Sequence, residues 1–92
     1  MNELEQARQE INEIDREMAV LFERRMKAAE AVAAYKATHG LPVFDGAREA
    51  EVIEKNAARI QNEALKPLYI TFLQQLMALS KDHQRRLLEN AK

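Results

Sequence analysis

The sequence contains no cysteine, and it has only two glycines and two prolines in 92 residues. Without cysteine the chain has no disulfide, no thiolate nucleophile and no zinc–thiolate site, which fits a reducing compartment. Sheet folds need many turns, and glycine and proline are the residues that most often form them. Their scarcity therefore favours a fold made of a few long helices.

The charges of the chain almost cancel, because it has 14 basic and 15 acidic residues and a net charge of −1. Such a chain has no overall basic field that would attract nucleic acid or an anionic membrane, so any anion site must be local. The first ten residues, MNELEQARQE, contain no apolar signal segment, and no stretch approaches the length of a membrane span. We expect a soluble cytoplasmic protein with no nucleic-acid or membrane partner.

Residues 1–92 fit a single domain, and a composition of 47% hydrophobic and 32% charged residues suits a soluble helical protein. Apolar residues recur at alternating steps of three and four positions from about Glu3 to His39, which predicts one long first helix. No glycine or proline interrupts this stretch. Gly40 is a suitable stop for the helix, and Pro42 follows shortly after it.

Two shorter helices are expected after this point. Asp45 has the side chain of a good N-cap, so a second helix should extend roughly from Gly46 to Asn62. A third helix should begin at Pro67, since proline is tolerated in a first turn, and end near Asn90. The sequence thus predicts an all-α fold with three helices in each chain, one very long and two shorter.

The length of the first helix bears on oligomeric state. Some 36 residues at 1.5 Å per residue extend to roughly 54 Å, whereas a compact domain of this size is only about 30 Å across. Two shorter helices cannot cover so long an apolar stripe, which favours an intertwined homodimeric bundle. The alternative is a helix broken near residues 24–27, although no breaker residue lies there.

Three cations lie on the stripe of the first helix that should face the core: Arg8, Arg25 and Lys36. A buried cation without a partner is very costly, so each needs a carboxylate from the protein or from a ligand. The structural alternative is that these cations pair with Asp15, Glu49 or another internal acid, or extend to solvent. Three cations on one stripe favour a site for an anion.

The spacing of these cations indicates how they can cooperate. Arg25 and Lys36 are 11 residues apart, or roughly 16 Å along the axis, so their long side chains can hold one small molecule. Arg8 and Arg25 are separated by roughly 26 Å and cannot easily do so within one chain. In an antiparallel dimer, Arg8 of one chain can approach Arg25 of the other, giving two shared sites.

The later helices add candidates of lower specificity. Ser80 and Gln84 are spaced i, i+4 on one face of the third helix, where they can orient a ligand or be ordinary boundary residues. Asp45, Arg48 and Glu49 open the second helix. Their structural alternative is a helix cap followed by a solvated first turn.

Several kinds of chemistry have no signature in the sequence. His39 and His83 lack acidic or cysteine partners at metal-ligand spacing, so surface positions are expected and no metal site is predicted. No Ser-His-Asp arrangement, glycine-rich phosphate loop or nucleotide fingerprint is present. Any catalysis is expected to use no cofactor and to rest on positioning and electrostatic stabilisation.

Along almost its whole length the chain resembles the all-helical class of chorismate mutases. No single element of the match is specific, but together they follow in order at the right intervals. The matching residues are Arg8, Ile11, Ile14 and Asp15, then Arg24 and Arg25, Lys36, Pro42, Val43, Asp45, Arg48 and Glu49, and finally Ser80 and Gln84. The resemblance implies an entwined dimer of three-helix subunits. It also implies a cofactor-free Claisen rearrangement of chorismate to prephenate, in the biosynthesis of phenylalanine and tyrosine.

The resemblance also implies roles for residues at the charged end of the substrate. Arg25, with Arg8 of the other subunit, should bind the two carboxylates, for which the planar guanidinium is well suited. Ser80 should contact a carboxylate as well. Lys36 and Gln84 should donate hydrogen bonds to the ether oxygen, where negative charge grows as its bond breaks.

At the other end of the substrate, Glu49 and Asp45 should hold the ring hydroxyl, and Arg48 should support this pair. Val32 and Met77 should form apolar walls that press the substrate toward its chair-like reactive shape. These roles are expectations from the resemblance alone.

One departure affects the third helix, because residues 62–69 are one residue fewer than the resemblance implies. Counted from the Tyr-Ile-Thr segment, Lys81 and Arg85 would take the places assigned to Ser80 and Gln84. The residue types and the i, i+4 spacing favour Ser80 and Gln84.

Two other functions fit the same features. An isochorismate-pyruvate lyase on the same fold would bind its substrate with the same cations and would also use no cofactor. The cluster of Asp45, Arg48 and Glu49, together with Ser80, favours the mutase. A non-catalytic helical dimerisation or regulatory module would carry the cations only as salt-bridge partners.

Overall fold

The computed structural model describes residues 2–90. They form three α-helices, α1 (Glu3–Thr38), α2 (Gly46–Ala57) and α3 (Lys66–Asn90), with a short 3₁₀ helix (Glu63–Leu65) directly before α3. No strand occurs between residues 2 and 90. The prediction of an all-α fold with one very long and two shorter helices is confirmed.

Local hydrogen bonds fix both ends of α1. The side chain of Asn2 accepts a hydrogen bond of 2.8 Å from the Glu5 N–H and caps the first turn. At the other end Gly40 adopts a φ of +65°, the left-handed conformation that glycine adopts without strain. This allows the Leu41 N–H to donate to the Lys36 carbonyl at 2.8 Å, a Schellman-type ending. The stop expected at Gly40 is therefore confirmed, with α1 ending one residue earlier than predicted.

The second helix is shorter than predicted. Asp45 is its N-cap, as expected, and its carboxylate accepts a hydrogen bond of 3.0 Å from the Arg48 N–H. However, α2 ends at Ala57, so the predicted extension to Asn62 is wrong. Asn62 instead caps the 3₁₀ helix by accepting from the Ala64 N–H at 3.0 Å. Residues 58–62 are needed for the chain to reverse direction between α2 and α3, and none of them is a glycine or proline that would mark a turn.

Helix α3 packs against both α1 and α2. It begins at Lys66, one residue before the expected start, with Pro67 in its first turn. The apolar core is small: Ala33 is fully buried, and Ala29, Leu73 and Met77 are nearly so. The small alanines of α1 let α3 approach closely. The core thus lies beside the C-terminal half of α1.

The N-terminal half of α1 contributes no residue to the apolar core. Every residue from 2 to 24 is exposed. The longest dimension of the described chain is 55 Å, close to the length of about 54 Å expected for a 36-residue helix. Large apolar side chains are exposed along this segment: Leu4, Ile11, Ile14, Met18, Val20, Leu21 and Phe22. The expectation that α1 extends beyond its own globule is therefore confirmed for a single chain.

Leu73 is the largest aliphatic side chain in the small core, with only 4% of its surface exposed. We expect Leu73→Ala to reduce the free energy of unfolding by about 2–4 kcal/mol, because the truncation removes apolar contacts and leaves a cavity. Urea denaturation at one fixed protein concentration measures this change. Leu68→Ala is the matched control on the same helix, since Leu68 is 65% exposed. Equal effects of the two substitutions would contradict this account of the core.

Candidate active site

A groove of about 290 Å³ lies where the C-terminal half of α1, the loop after it, the first turns of α2 and the middle of α3 meet. Seven of the eight predicted binding residues line it, although they come from four separate parts of the sequence: Arg25, Lys36, Asp45, Arg48, Glu49, Ser80 and Gln84. The two residues expected to form apolar walls, Val32 and Met77, also line the groove. The fold therefore brings together the side chains that the sequence pattern singles out.

Arg8 is the predicted binding residue that does not line the groove. It is exposed on the free half of α1. Seventeen residues of continuous helix separate it from Arg25, which corresponds to roughly 26 Å. Within one chain, Arg8 and Arg25 therefore cannot contact the same small molecule.

Arg25 and Lys36 lie on the α1 wall of the groove, and both are partly buried. The Lys36 ammonium donates a hydrogen bond of 2.8 Å to the Val43 carbonyl, which ties the loop after α1 to the helix. Within residues 2–90, neither cation forms an ion pair, and the side chain of Arg25 has no hydrogen-bond partner. The structural alternative of internal carboxylate partners is thus not realised for them, and both remain available to an anion.

On α3, the register chosen from residue types places polar groups in the groove. Ser80 and Gln84 are buried, with 6% and 7% of their surfaces exposed, whereas Arg85 is exposed and does not line the groove. The Gln84 amide nitrogen donates to the Ser80 hydroxyl at 3.3 Å. The other amide atom, Oε1, is buried and has no hydrogen-bond partner among the described residues. A buried amide atom without a partner is costly, so the orientation of this amide and its hydrogen bonds need an explanation.

The acidic end of the groove is formed by the start of α2. Asp45 both caps this helix and lines the groove. Arg48 lies at the rim, where its mostly exposed guanidinium donates to Glu51 at 2.9 Å. Glu49 is partly buried and pairs with Lys81 of α3 at 3.0 Å. The reading of Asp45 as a cap alone is therefore incomplete.

One pKa shift is found near this helix. Lys55 donates a hydrogen bond to Glu51 and, with the positive charges of Lys55 and Arg48, lowers the pKa of the Glu51 carboxyl below its usual value. Glu51 does not line the groove. The ion pair between Glu51 and Arg48 therefore orients the Arg48 guanidinium from outside the site.

Lys81 is a groove residue that the sequence interpretation did not assign. It lines the groove beside Ser80 and pairs with Glu49 across the gap between α3 and α2. In the sequence it appears only through the rejected register of α3. Its position next to Ser80 and three residues before Gln84 is a helical spacing that would have indicated the edge of the same face.

The two histidines are outside the groove. His39 is exposed, as expected, and stacks on Tyr35 with ring centroids 3.9 Å apart. His83 differs from expectation, because it has an acidic partner: its Nε2 lies 2.8 Å from Glu30 of α1. From residue 2 to residue 90, no group of three or more histidine, cysteine, aspartate or glutamate side chains is arranged to hold a metal ion. The helices of this same part of the chain include none that is long and apolar enough to cross a membrane.

Comparison with known proteins identifies the family of the chain. Residues 7–85 match the sequence model of the family described as chorismate mutase type II. The chain belongs to the type II chorismate mutase family. The matched residues include all eight predicted binding positions, from Arg8 to Gln84. The resemblance stated from the motifs is thus confirmed. The prediction of an isomerase is also confirmed at the level of the family.

One curated relative of the chain is the T-protein of Haemophilus influenzae, which is 36% identical to it over 63 residues. The aligned region covers 68% of the present chain but only 16% of the T-protein. The chain therefore spans less than a fifth of that relative. A comparison with solved structures gives no match.

Proposed function

We propose that this chain is a chorismate mutase that converts chorismate into prephenate without a cofactor, in the biosynthesis of phenylalanine and tyrosine. The observation that carries this proposal is the pair of cations, Arg25 and Lys36, in one groove without any carboxylate partner in residues 2–90. A dianionic substrate supplies the missing negative charge. Family membership supports the same substrate.

The proposed reaction is an intramolecular rearrangement in which the ether C–O bond breaks while a C–C bond forms. No nucleophile or proton transfer is needed, so the protein acts by holding the substrate in its reactive shape and stabilising charge. Negative charge develops on the ether oxygen as its bond breaks. Lys36 and Gln84 are the proposed donors to this oxygen, while Val32 and Met77 confine the substrate between them.

The amide of Gln84 fits the role of donor after a half-turn about its last side-chain bond. In that orientation the Ser80 hydroxyl donates to Oε1, and Nε2 occupies the position that now lacks a partner. The buried amide then has a hydrogen bond at both ends once the substrate binds. Ser80 thereby orients Gln84 in addition to its proposed contact with a substrate carboxylate.

The opposite end of the groove is suited to a hydroxyl group. The carboxylates of Asp45 and Glu49 are hydrogen-bond acceptors, so they favour a donor such as the ring hydroxyl over a further carboxylate. Arg48 lines the groove beside these two carboxylates and is the proposed support for them. The α1 wall thus presents cations without carboxylate partners and the start of α2 presents carboxylates, an arrangement that would orient a substrate carrying carboxylates and a hydroxyl.

We further propose that the active form is an intertwined homodimer in which Arg8 of each subunit completes the site of the other. The exposed apolar side chains on the free half of α1 support this assembly, since large exposed apolar patches usually mark an interface. Arg8 lies on that free half, far from its own groove. An antiparallel partner helix would bring it to the Arg25 end of the other groove.

The proposed function is tested by following chorismate loss through its ultraviolet absorbance and identifying the product. We expect prephenate to form. Isochorismate is supplied in a parallel reaction, because a lyase would release pyruvate from it and leave chorismate unchanged. Loss of neither substrate would refute the enzymatic proposal and favour the non-catalytic helical module.

The neutral amide of Gln84 leads to a prediction about pH. An amide donates a hydrogen bond at any ordinary pH, so we expect no steep loss of activity between about pH 6 and pH 8. In Gln84→Glu the donor exists only while the carboxyl is protonated, so the activity of that variant should fall as the pH rises. Initial rates in buffers of constant ionic strength measure both profiles. A sharp fall for the unmodified chain across this range would contradict a neutral donor at this position.

A further inference from the structure

The ion pair between Lys81 and Glu49 is one of two that join different α-helices within residues 2–90. Its atoms are 3.0 Å apart, and the two side chains retain only 23% and 27% of their exposure, so the pair is shielded from solvent on most sides. The Lys81 ammonium also lies 4.9 Å from the centroid of the Phe44 ring, within the range of a cation–π contact. Two contacts from separate segments thus hold this lysine in place.

The pair leaves one oxygen of Glu49 unused. Lys81 forms an ion pair with Oε2, and no hydrogen bond to this carboxylate occurs among the described residues. Glu49 lines the groove, and its long side chain has several rotamers of similar energy when it is not held. An ion pair that selects one rotamer before the substrate arrives reduces the ordering required on binding.

We propose that Lys81 is a positioning residue that fixes Glu49 so that its free oxygen accepts the hydrogen bond from the ring hydroxyl of the substrate. This proposal rests on the proposed function, because it requires a substrate with a hydroxyl at the acidic end of the groove. Phe44 supports the arrangement by keeping the Lys81 ammonium beside Glu49. The specificity of the site for a hydroxylated ring then depends on a cation that never touches the substrate.

A direct contact between Lys81 and a substrate carboxylate is the competing role. The ammonium is already engaged by Glu49 on one side and by the Phe44 ring on another. Arg25 and Lys36, in contrast, have no carboxylate partner in residues 2–90. The unpaired cations on α1 therefore suit the carboxylates better than the paired cation on α3.

The first experiment compares steady-state kinetics of Lys81→Met, Lys81→Arg and Lys66→Met with those of the unmodified chain. The hydroxyl contact is present in both ground and transition states, so its loss should raise KM about 10-fold and change kcat less than about 2-fold. Lys81→Arg should recover most of the lost affinity, because it retains the charge. Lys66 is the matched control: it forms an ion pair with Glu63 at 2.8 Å, is 31% exposed and lies outside the groove. An unchanged KM for Lys81→Met would overturn the proposal.

The second experiment uses a chorismate analogue that lacks the ring hydroxyl. With this analogue, Lys81→Met and the unmodified chain should have equal kcat/KM, whatever the difference between their melting temperatures. A loss as large as that with chorismate would show a direct or merely structural role and would overturn the proposal. In a Glu49→Gln background, Lys81→Met should have little further effect on KM. If the unmodified chain does not consume chorismate, the proposed function itself fails, and that result is distinct from an active chain insensitive to Lys81.

Discussion

Replacing Lys36 with methionine is expected to lower kcat by about 10²- to 10³-fold, the usual effect of removing one donor to a developing negative charge. Methionine retains much of the apolar stem but has no ammonium. Lys36 lines the groove, and its hydrogen bond to the Val43 carbonyl leaves ammonium protons free for the substrate. Because the charge on the ether oxygen is largest in the transition state, kcat should fall much more than KM rises.

This prediction separates catalysis from assembly. Lys66→Met serves again as the control, since Lys66 lies outside the groove, and its kcat should stay close to that of the unmodified chain. Sedimentation should give the same oligomeric state for both variants, and circular dichroism the same helix content. Unchanged turnover in Lys36→Met would refute the proposed role and favour the non-catalytic module.

The long helix α1 and the start of α2 were predictable because their signals are local. A regular apolar spacing, the lack of any breaker before Gly40, and the cap residue Asp45 depend only on neighbours in the sequence. The end of α2 was not predictable, because it has no local signal. Residues 58–62 have no glycine or proline, and they leave the helix because the chain must reverse to pack α3 against α2, which is a tertiary constraint.

The candidate site was predictable to the extent that its cations conflict with their surroundings. Arg25 and Lys36 were singled out because charges on an apolar stripe need an explanation. Lys81 lies on the edge of its helix face, where a lysine is ordinary, so only the structure reveals its pairing with Glu49. The buried Oε1 of Gln84 likewise has no sequence signal, since its lack of a partner depends on how α3 packs.

The second large effect concerns the proposed sharing of each site by two subunits. Arg8→Ala and Arg25→Ala should each lower kcat/KM by about 10²-fold or more, because each removes a guanidinium that pairs with a substrate carboxylate. In a heterodimer of the two variants, one site has lost both arginines. The other site combines an intact Arg25 from the first chain with an intact Arg8 from the second.

Mixing equal amounts of these two inactive variants should therefore restore activity. After joint unfolding and refolding, about half of the dimers are heterodimers with one complete site of two, so about a quarter of the original kcat per chain should return. Arg25→Ala mixed with Lys36→Met is the control: both residues belong to the same subunit's groove, so every site stays defective and no activity should return. Sedimentation at micromolar concentration should show dimers in every sample. A fully active monomer, or no recovery despite heterodimer formation, would contradict a site completed by Arg8 of the other subunit.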